Sequence, residues 1–458
     1  MDSIQEMLYS LPFLTVISAI VAYVMATRFN LYPVIIYVSK TKNLMDEPEE
    51  RRVHTNKVPN LGGMGLFITF SLTLLLFVPF LNNTVSDLSH LLSLLSATII
   101  LLFLGIKDDL VLMTPKKKLV IQLIAVSMVC VLRDIRITDF HGLLGLRELP
   151  FFVSVIFTIF VFVLVINAVN LIDGIDGLAA SISILASLGF GIAFFMANNY
   201  LMTLLSAVLI GSLFGFLKYN FSKDHKIFMG DCGSLIVGFL LAYQGIKFMN
   251  INPNVVHEYN SENSSILLLA ILSYPLFDLL RVFLVRIKQK KSPFVADGNH
   301  IHHRLLRLGL NHKQATMFLV VSNLILITIT FLTNGLAINL HLLVVVAFGS
   351  LLYLLPFLSV FEEFNAENID AELQNLKTDE YSGTNLNSNS LINDTEQEPG
   401  VIKLMTTNNQ NNTNTTLNNH NLAQNRSRKL NFLAGEKNST VNGDASKVQL
   451  DTNELNTK

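Results

Sequence analysis

The sequence predicts an all-α, polytopic membrane protein with about eleven transmembrane helices and a disordered C-terminal tail. Of its 458 residues, 51% are hydrophobic and 15% are charged, whereas a soluble domain carries about 25% charged residues. Apolar segments of about 20 residues, the length that spans a bilayer, recur as far as residue 359. Beyond that point the chain becomes polar. These observations exclude an ordinary soluble domain.

Eleven apolar segments are candidates for membrane spans, although the fourth is short. They are 8–27, 61–81, 88–106, 118–132, 150–168, 178–197, 200–217, 233–249, 265–287, 314–332 and 339–359. The first follows an acidic flank, MDSIQE, and ten more come after it. We therefore expect an uncleaved span there and not a signal peptide.

The chain divides into a membrane-embedded domain, 1–359, and a tail, 360–458. The tail contains segments such as TTNNQNNTNTTLNNHNLAQNRS, which are rich in Asn and Thr and nearly free of large apolar residues. Such a segment buries too little apolar surface to offset the entropy of ordering, so we expect the tail to be disordered. The net charge of −1 gives no indication of a nucleic-acid partner, and the two cysteines do not indicate a disulfide framework.

Basic residues are distributed unevenly between alternate loops. The loops after odd-numbered segments contain Lys40, Lys42, Arg51, Arg52, Lys57, Lys107, Lys116, Lys117, Lys218, Lys223, Lys226, Lys288, Lys290, Lys291, Arg304, Arg307 and Lys313. The loops after even-numbered segments contain essentially only Arg133, Arg136 and Arg147, all in one loop. Since Lys and Arg collect on the cytosolic side, we expect the odd-numbered loops and the tail to be cytosolic.

The polar motifs follow the same alternation. They are DEPEERRVHTNKVPNLGG, GIKDDL, NAVNLIDGIDGLAA, KIFMGDCGS and SPFVADGNHIHHRLLRLGL, and each follows an odd-numbered segment. Loops with purely structural roles have no reason to sort onto one face. The alternation therefore predicts one shared site at the cytosolic surface.

Each motif taken alone permits a structural interpretation. Asp108 and Asp109 end an apolar segment, where a carboxylate is either functional or a solvated helix-end group. Asn170, Asp173 and Asp176 are spaced three residues apart, with glycines beside them. They could be ligands on one helical face, or their side chains could cap a tight glycine-rich turn. The spacing does not match an EF-hand loop.

The two later motifs also leave alternatives open. Asp231 could be a ligand near a helix N-terminus or simply its N-cap. Phe228 could stack on a base or anchor at the membrane interface. His300, His302 and His303 stand beside Arg304 with no nearby cysteine, so phosphate contacts suit this segment better than zinc. A soluble linker with basic residues is the alternative.

Together these residues combine carboxylates, an amide, histidines and basic side chains at a membrane surface. Hard oxygen ligands suit Mg²⁺, with Mn²⁺ as an alternative. Acids that hold a divalent ion opposite basic residues are typical of phosphoryl transfer. The membrane location indicates that one substrate is a lipid phosphate.

The five motifs resemble, in order and position, those of the polyprenyl-phosphate N-acetylhexosamine-1-phosphate transferases, glycosyltransferase family 4. The resemblance covers about residues 8–359 and none of the tail. It implies transfer of a sugar-1-phosphate from a UDP-N-acetylhexosamine to a polyprenyl phosphate, with release of UMP. It further implies a bacterial inner (cytoplasmic) membrane enzyme whose active site faces the cytosol.

The resemblance also implies roles for individual residues. It matches the metal ligands to Asn170 and Asp231. It matches the catalytic groups to Asp108, Asp109, Asp173, Asp176, His302 and His303. It matches the substrate contacts to Phe228, on the uracil ring, and to Asn167, Lys117, His300 and Arg304. Within the acidic pair, Asp108 is expected to deprotonate or orient the lipid phosphate. Lys116, Lys117 and Lys118 all fit the region of the family's lysine.

The motif HIHHR differs from the three successive histidines of the branch that transfers phospho-N-acetylmuramoyl-pentapeptide. It resembles the branch that uses UDP-N-acetylglucosamine and undecaprenyl phosphate to begin teichoic acid, lipopolysaccharide O-antigen or related polymers. The muramoyl-pentapeptide transferase remains an alternative. A non-catalytic sugar-nucleotide transporter or binder is a third interpretation, although transporters usually place charges near the bilayer midplane. A homodimer remains open.

Overall fold

The structure is a computed structural model that describes residues 11–44, 58–81, 84–251, 263–290 and 300–357. The predicted tail, 360–458, lies outside the described residues, so its disorder and the domain boundary near residue 359 stay predictions. Parts of two motifs, 46–57 and 292–299, lie outside them as well.

Fourteen α-helices follow one another in the described residues. They are α1 (Leu11–Arg28), α2 (Leu31–Thr41), α3 (Gly62–Phe77), α4 (Val85–Leu110), α5 (Pro115–Leu132), α6 (Phe151–Ile172), α7 (Leu178–Met196), α8 (Tyr200–Asn220), α9 (Gly230–Met249), α10 (Ser264–Ile271), α11 (Ser273–Lys288), α12 (Ile301–Arg307), α13 (His312–Leu332) and α14 (Ile338–Leu354). The described residues form no β-strand, only an isolated bridge between Asp139 and Glu148.

The all-α, polytopic fold class is confirmed. Nine helical segments of the described chain are long and apolar enough to cross a membrane, with α1 and α2 counted as one. Each predicted segment falls on a helix, but two of the eleven are not among these nine. The fourth is α5, which carries three lysines in its first turn. The ninth is divided between α10 and α11, which are bent by 75° and together allow a tenth span.

The bend between α10 and α11 has a physical cause in the sequence. Pro275 has no N–H group, so the carbonyl of Ile271, four residues earlier, loses its helical donor. The side-chain amide of Asn323 on α13 donates to this carbonyl over 3.1 Å instead. Asn323 in turn accepts a hydrogen bond from the buried Ser273 hydroxyl. A broken helix at membrane depth is tolerated because a neighbouring helix satisfies the freed backbone group.

Helix α9 is the centre of the bundle and contacts α3, α4, α6 and α7. Nearly all of its side chains are buried, and Phe239 stacks on Phe162 of α6 with ring centroids 5.3 Å apart. The outer helices expose large apolar side chains instead, such as Phe103, Phe152 and Ile156. This pattern is expected where lipid and not water surrounds the helices.

Glycines allow the helices around the start of α9 to approach closely. A Cβ on Gly63 of α3 would overlap the backbone of Gly233 on α9. A Cβ on Gly105 of α4 would overlap the backbone of Cys232. Helices in lipid have no hydrophobic driving force between them, and small residues at such crossings stabilise the contact because they let the backbones pack closely.

We expect Gly63→Ala to destabilise the protein, because the added methyl group has no space against Gly233. Overpacking of this kind costs about 1–3 kcal/mol. The midpoint of thermal unfolding of the purified protein in detergent measures the change. Gly335→Ala is the matched control, since a Cβ at Gly335 meets nothing within 4 Å. Equal midpoints for the two variants would contradict the packing assignment.

Candidate active site

The site is built around the N-terminal end of α9, where two of the predicted motifs lie side by side. Phe228 N donates to the carbonyl of Pro59 over 2.8 Å, and Gly62 N donates to the carbonyl of Phe228 over 2.9 Å. Two residues after Phe228 the chain turns at Gly230, whose φ of +69° is a left-handed conformation that favours glycine. These backbone contacts hold VPNLGG against KIFMGD and fix where α9 begins.

Asp109 caps this helix. Its two carboxylate oxygens accept hydrogen bonds from Asp231 N over 2.9 Å and from Cys232 N over 3.0 Å. The amide of Asn60 contacts the same carboxylate at 3.4 Å. The first N–H groups of a helix lack intrahelical partners and carry partial positive charge, which a carboxylate satisfies. Capping is therefore done by Asp109, and the side chain of Asp231 is left for other contacts.

Asp231 meets an amide and an ammonium group contributed by two other helices. Asn170 Nδ2, near the end of α6, donates to Asp231 Oδ1 over 2.6 Å. Lys118 Nζ, in the first turn of α5, contacts Asp231 Oδ2 and lies 2.9 Å from Asp108 Oδ2. The other oxygen of Asp108 accepts from Met113 N over 2.8 Å. One ammonium group thus lies between two carboxylates at the end of an apolar bundle.

The oxygen atoms of the site suit a hard divalent cation. Carboxylate and amide oxygens are the ligands that Mg²⁺ takes. The side chains of Asn170 and Asp231 are adjacent, with the amide nitrogen of Asn170 on the carboxylate and its amide oxygen outside this hydrogen bond. Across the residues that the structure describes, no group of three or more His, Cys, Asp or Glu side chains could by itself hold a metal ion. Mg²⁺ commonly binds one or two protein carboxylates and completes its shell with substrate phosphates and water. The residues fit a site of that kind.

The segment NLIDGIDG turns between α6 and α7 beside these groups. Asp176 Oδ2 accepts from Lys226 Nζ over 2.7 Å and lies 3.0 Å from His312 Nδ1. Burial opposes ionisation of Asp176, but the bonds from His312 and Lys226 outweigh it and hold the pKa below its usual value. The backbone is also fixed, since Gly177 N donates to Asn220 Oδ1 over 2.6 Å.

Asp173 differs from the other carboxylates at the site. Among the described residues its carboxylate has no hydrogen-bond donor or ion-pair partner. Burial, together with the charges of Asp231, Asp109 and Asp176, raises the pKa of Asp173 well above its usual value. A carboxyl group that readily holds a proton and has no partner is available to a substrate.

The histidine motif reaches the same site through Gly174. A Cβ on Gly174 would lie 2.5 Å from His302 Nε2, so only glycine leaves room for the ring. Burial, and then the neighbouring histidines, lower the pKa of His302 well below its usual value. The start of α12 is held by the fully buried Asp278, which accepts from Ile301 N over 3.0 Å and lies 3.3 Å from His300 Nδ1.

The other predicted residues are held by contacts of their own. Phe228 is half-buried, with Lys226 Nζ 5.3 Å from its ring centroid. Asn167 donates to Gln122 on α5 over 3.0 Å. Arg304 Nε donates to the carbonyl of Pro356 over 3.1 Å. The ring of His303 lies against His302, with centroids 4.3 Å apart.

Of the three adjacent lysines, the structure brings Lys118 and not Lys117 to the carboxylates. Lys117 is exposed, and its role in substrate binding stays a prediction. Sequence reasoning also missed Asp278 and His312. A signal for Asp278 existed, since a lone acid inside an apolar segment is costly unless it has a function. His312 lies two residues beyond the histidine motif and had no such signal.

Comparisons with known proteins identify the family of the chain. The sequence model of Glycosyl transferase family 4 matches residues 91–249. A probable undecaprenyl-phosphate N-acetylglucosaminyl 1-phosphate transferase of Bacillus subtilis is 28% identical over 66% of this chain and 81% of its own length. The undecaprenyl-phosphate alpha-N-acetylglucosaminyl 1-phosphate transferase of Haemophilus influenzae is 31% identical over 63% of this chain and 79% of its own.

The protein of the same name from Pasteurella multocida is 31% identical over 66% of this chain and 82% of its own length. The matched region contains the carboxylates of α4, the NLIDGIDG segment and the start of α9. These are the elements that meet in the site. The chain therefore belongs to glycosyl transferase family 4, on the branch of the undecaprenyl-phosphate N-acetylglucosaminyl 1-phosphate transferases.

Proposed function

We propose that the protein transfers N-acetylglucosamine-1-phosphate from UDP-N-acetylglucosamine to undecaprenyl phosphate, or a similar polyprenyl phosphate. An oxygen of the lipid phosphate attacks the phosphorus next to the sugar, and the bond from this phosphorus to the bridging oxygen breaks. The products are polyprenyl-diphospho-N-acetylglucosamine and UMP. The observation that supports this most directly is the meeting of Asp231, Asn170, Asp108 and Lys118 at one end of the bundle.

The position of Lys118 between two carboxylates indicates how an acceptor phosphate would be held. Its ammonium group contacts both Asp108 and Asp231. An incoming lipid phosphate competes for this ammonium group and brings its attacking oxygen beside Asp108. Asp108 then orients the phosphate or takes a proton from it. Asp109 acts through α9, since its hydrogen bonds place Asp231.

The donor is expected to lie between the start of α9 and the histidine motif. Asn170 and Asp231 would hold Mg²⁺, or Mn²⁺, which neutralises diphosphate charge when bound. Phe228, with Asn167, is expected to contact the uridine part. The protonatable Asp173, with Asp176, shapes the nucleotide side of the site. His300, His302, His303 and Arg304 are expected to contact diphosphate and sugar.

The distribution of basic residues supports a proposal for the membrane and for the side of it on which the reaction takes place. The bias of Lys and Arg toward odd-numbered loops supports a cytosolic site in a bacterial inner (cytoplasmic) membrane. A product attached to a polyprenyl carrier at that surface is the first membrane intermediate of a cell-envelope polysaccharide, such as teichoic acid or lipopolysaccharide.

Release of UMP by the purified protein in detergent tests the proposal. We expect UMP only when UDP-N-acetylglucosamine, undecaprenyl phosphate and Mg²⁺ are all present. Release from UDP-N-acetylmuramoyl-pentapeptide, and not from this donor, would assign the protein to that transferase instead. No release with any donor would favour the non-catalytic transporter or binder.

We expect Asp231→Asn to abolish UMP release while the protein still inserts and stays folded. The change removes the carboxylate charge but keeps the shape of the side chain, so α9 still begins at Gly230. Asp224→Asn is the matched control, because Asp224 is an exposed acid in the preceding loop. Retained turnover of Asp231→Asn would overturn the role given to this carboxylate.

We expect Lys118→Gln to lower kcat/KM about a hundredfold, the loss typical of removing one donor that stabilises developing charge. Lys117→Gln, its neighbour on the chain, should change kcat/KM little because its side chain is exposed. Initial rates of UMP release at varied concentrations of undecaprenyl phosphate measure both. The reverse order would restore Lys117 as the lysine of the site.

We expect a membrane-impermeant thiol reagent to label Arg147→Cys on intact cells, and to label Lys223→Cys only after the membrane is opened. Both positions are exposed, and they lie in loops of opposite predicted sides. The natural cysteines Cys130 and Cys232 are buried and provide a low background. Labelling in the opposite order would place the site outside the cytosol.

A further inference from the structure

A cavity of about 310 Å³ lies at the end of the bundle opposite to the carboxylate site. Its lining includes His90, Arg133, Asp134, Ala197, Asn199 and Lys247. Helix α9 shows the separation, since it begins beside Asp231 and reaches Lys247 roughly 24 Å further on, at 1.5 Å per residue. The cavity is therefore not part of the site described above.

The cavity is lined by three basic side chains. Lys247 Nζ lies 3.1 Å from His90 Nδ1, and Arg133 Nε donates to Ser93 Oγ over 2.7 Å. Throughout the described ranges, no carboxylate lies within ion-pair distance of Lys247 or Arg133. Half-buried ammonium and guanidinium groups with no carboxylate in direct contact are costly at a membrane boundary, and the charge of Asp87 acts on Lys247 only from beyond ion-pair distance. An anion between these groups would therefore be favoured.

The acidic side chains nearby are already engaged. Asp134 is ion-paired with Arg136 at 2.6 Å. Asp87, one turn before His90 on α4, accepts from the backbone and hydroxyl of Thr84 in a capping box. Neither carboxylate neutralises the cavity by direct contact with its lysine or arginine.

The backbone adds further positive character. Asn199 is the N-cap of α8, a helix of 21 residues, and its side chain accepts from Met202 N. The N-terminal end of a helix carries partial positive charge, and here it adjoins the cavity wall. This effect supplements the side chains and does not by itself define a site.

Exposed apolar side chains next to the lining residues indicate that the cavity lies beside lipid. The residues before Arg133 on α5, Val131 and Leu132, are 57% and 64% exposed, and Met196 before Ala197 is 44% exposed. Such side chains face hydrocarbon. Arg133 also belongs to the single even-numbered loop that departs from the bias of basic residues, a departure that the proposed transfer reaction does not explain.

We propose that this cavity binds a phosphate group, carried by a lipid head group or free in solution. Arg and Lys are the side chains that bind phosphate best, and basic pockets between transmembrane helices take lipid head groups. The volume exceeds that of one phosphate group and leaves room for the part of a head group attached to it. The site is separate from the transfer reaction and does not depend on it.

Binding to the purified full-length protein in detergent tests the proposal. The probes are dioleoyl phosphatidic acid, dioleoyl phosphatidylcholine and sodium phosphate, and native mass spectrometry gives the bound fraction of each lipid. We expect phosphatidic acid to bind about tenfold or more tightly than phosphatidylcholine. Both carry a phosphate, but the phosphomonoester offers a further charged oxygen for a hydrogen bond and has no choline cation to oppose the basic side chains. Lipid binding that excess sodium phosphate does not displace identifies the lipid as the ligand, whereas displacement shows that free phosphate occupies the same cavity.

Variants separate this cavity from the carboxylate site, which would also attract a lipid phosphate. The Arg133→Gln, Lys247→Gln double variant should lose about tenfold or more of the affinity. Arg147→Gln, an exposed arginine on the same side, should bind like the unaltered protein. Ala197→Phe keeps every charge but fills the cavity, and should also weaken binding if the double variant does not fold. Unchanged affinity in the folded double variant, or in Ala197→Phe, would overturn the proposal.

Discussion

The hydrogen bonds from the first N–H groups of α9 to the carboxylate of Asp109 are the contact on which the site depends. A helix that begins inside a membrane bundle needs partners for its free N–H groups, and a buried carboxylate needs donors. Each satisfies the other here. Because Asp231 is the first acidic residue of α9, the same contact determines where its side chain lies. The glycines at 63 and 105 then let α3 and α4 pack against this end.

The charges at the site are balanced locally, although the chain carries a net charge of only −1. Lys118 lies between Asp108 and Asp231, and Lys226 with His312 holds Asp176 in its ionised form. Among the described residues Asp173 has no such partner, and burial, together with the charges of the neighbouring carboxylates, raises its pKa. The site therefore combines fixed carboxylates with an ammonium group that lies between two of them, and the proposed function uses this arrangement to receive a phosphate.

The two ends of the bundle differ in the sign of their charged groups. At the start of α9 carboxylates outnumber their basic partners, whereas at its end basic groups line a cavity with no carboxylate in contact with its lysine or arginine, among the residues described. Apolar helices separate these ends, so neither set of charges screens the other. Lipids with phosphate head groups lie at both boundaries of a membrane, and the structure offers a different type of contact at each.

The sequence by itself determined the apolar segments, and it predicted the sorting of polar motifs onto one face and most of the residues that the structure brings together at the start of α9. Length, composition and order are enough for this, because spanning a bilayer requires only about 20 apolar residues. Only the tertiary structure decided that Lys118 and not Lys117 meets the carboxylates, that Asp109 and not Asp231 caps α9, and that the ninth segment is broken. Neighbouring residues on a helix point about 100° apart, and which of them faces the site depends on how the helices pack.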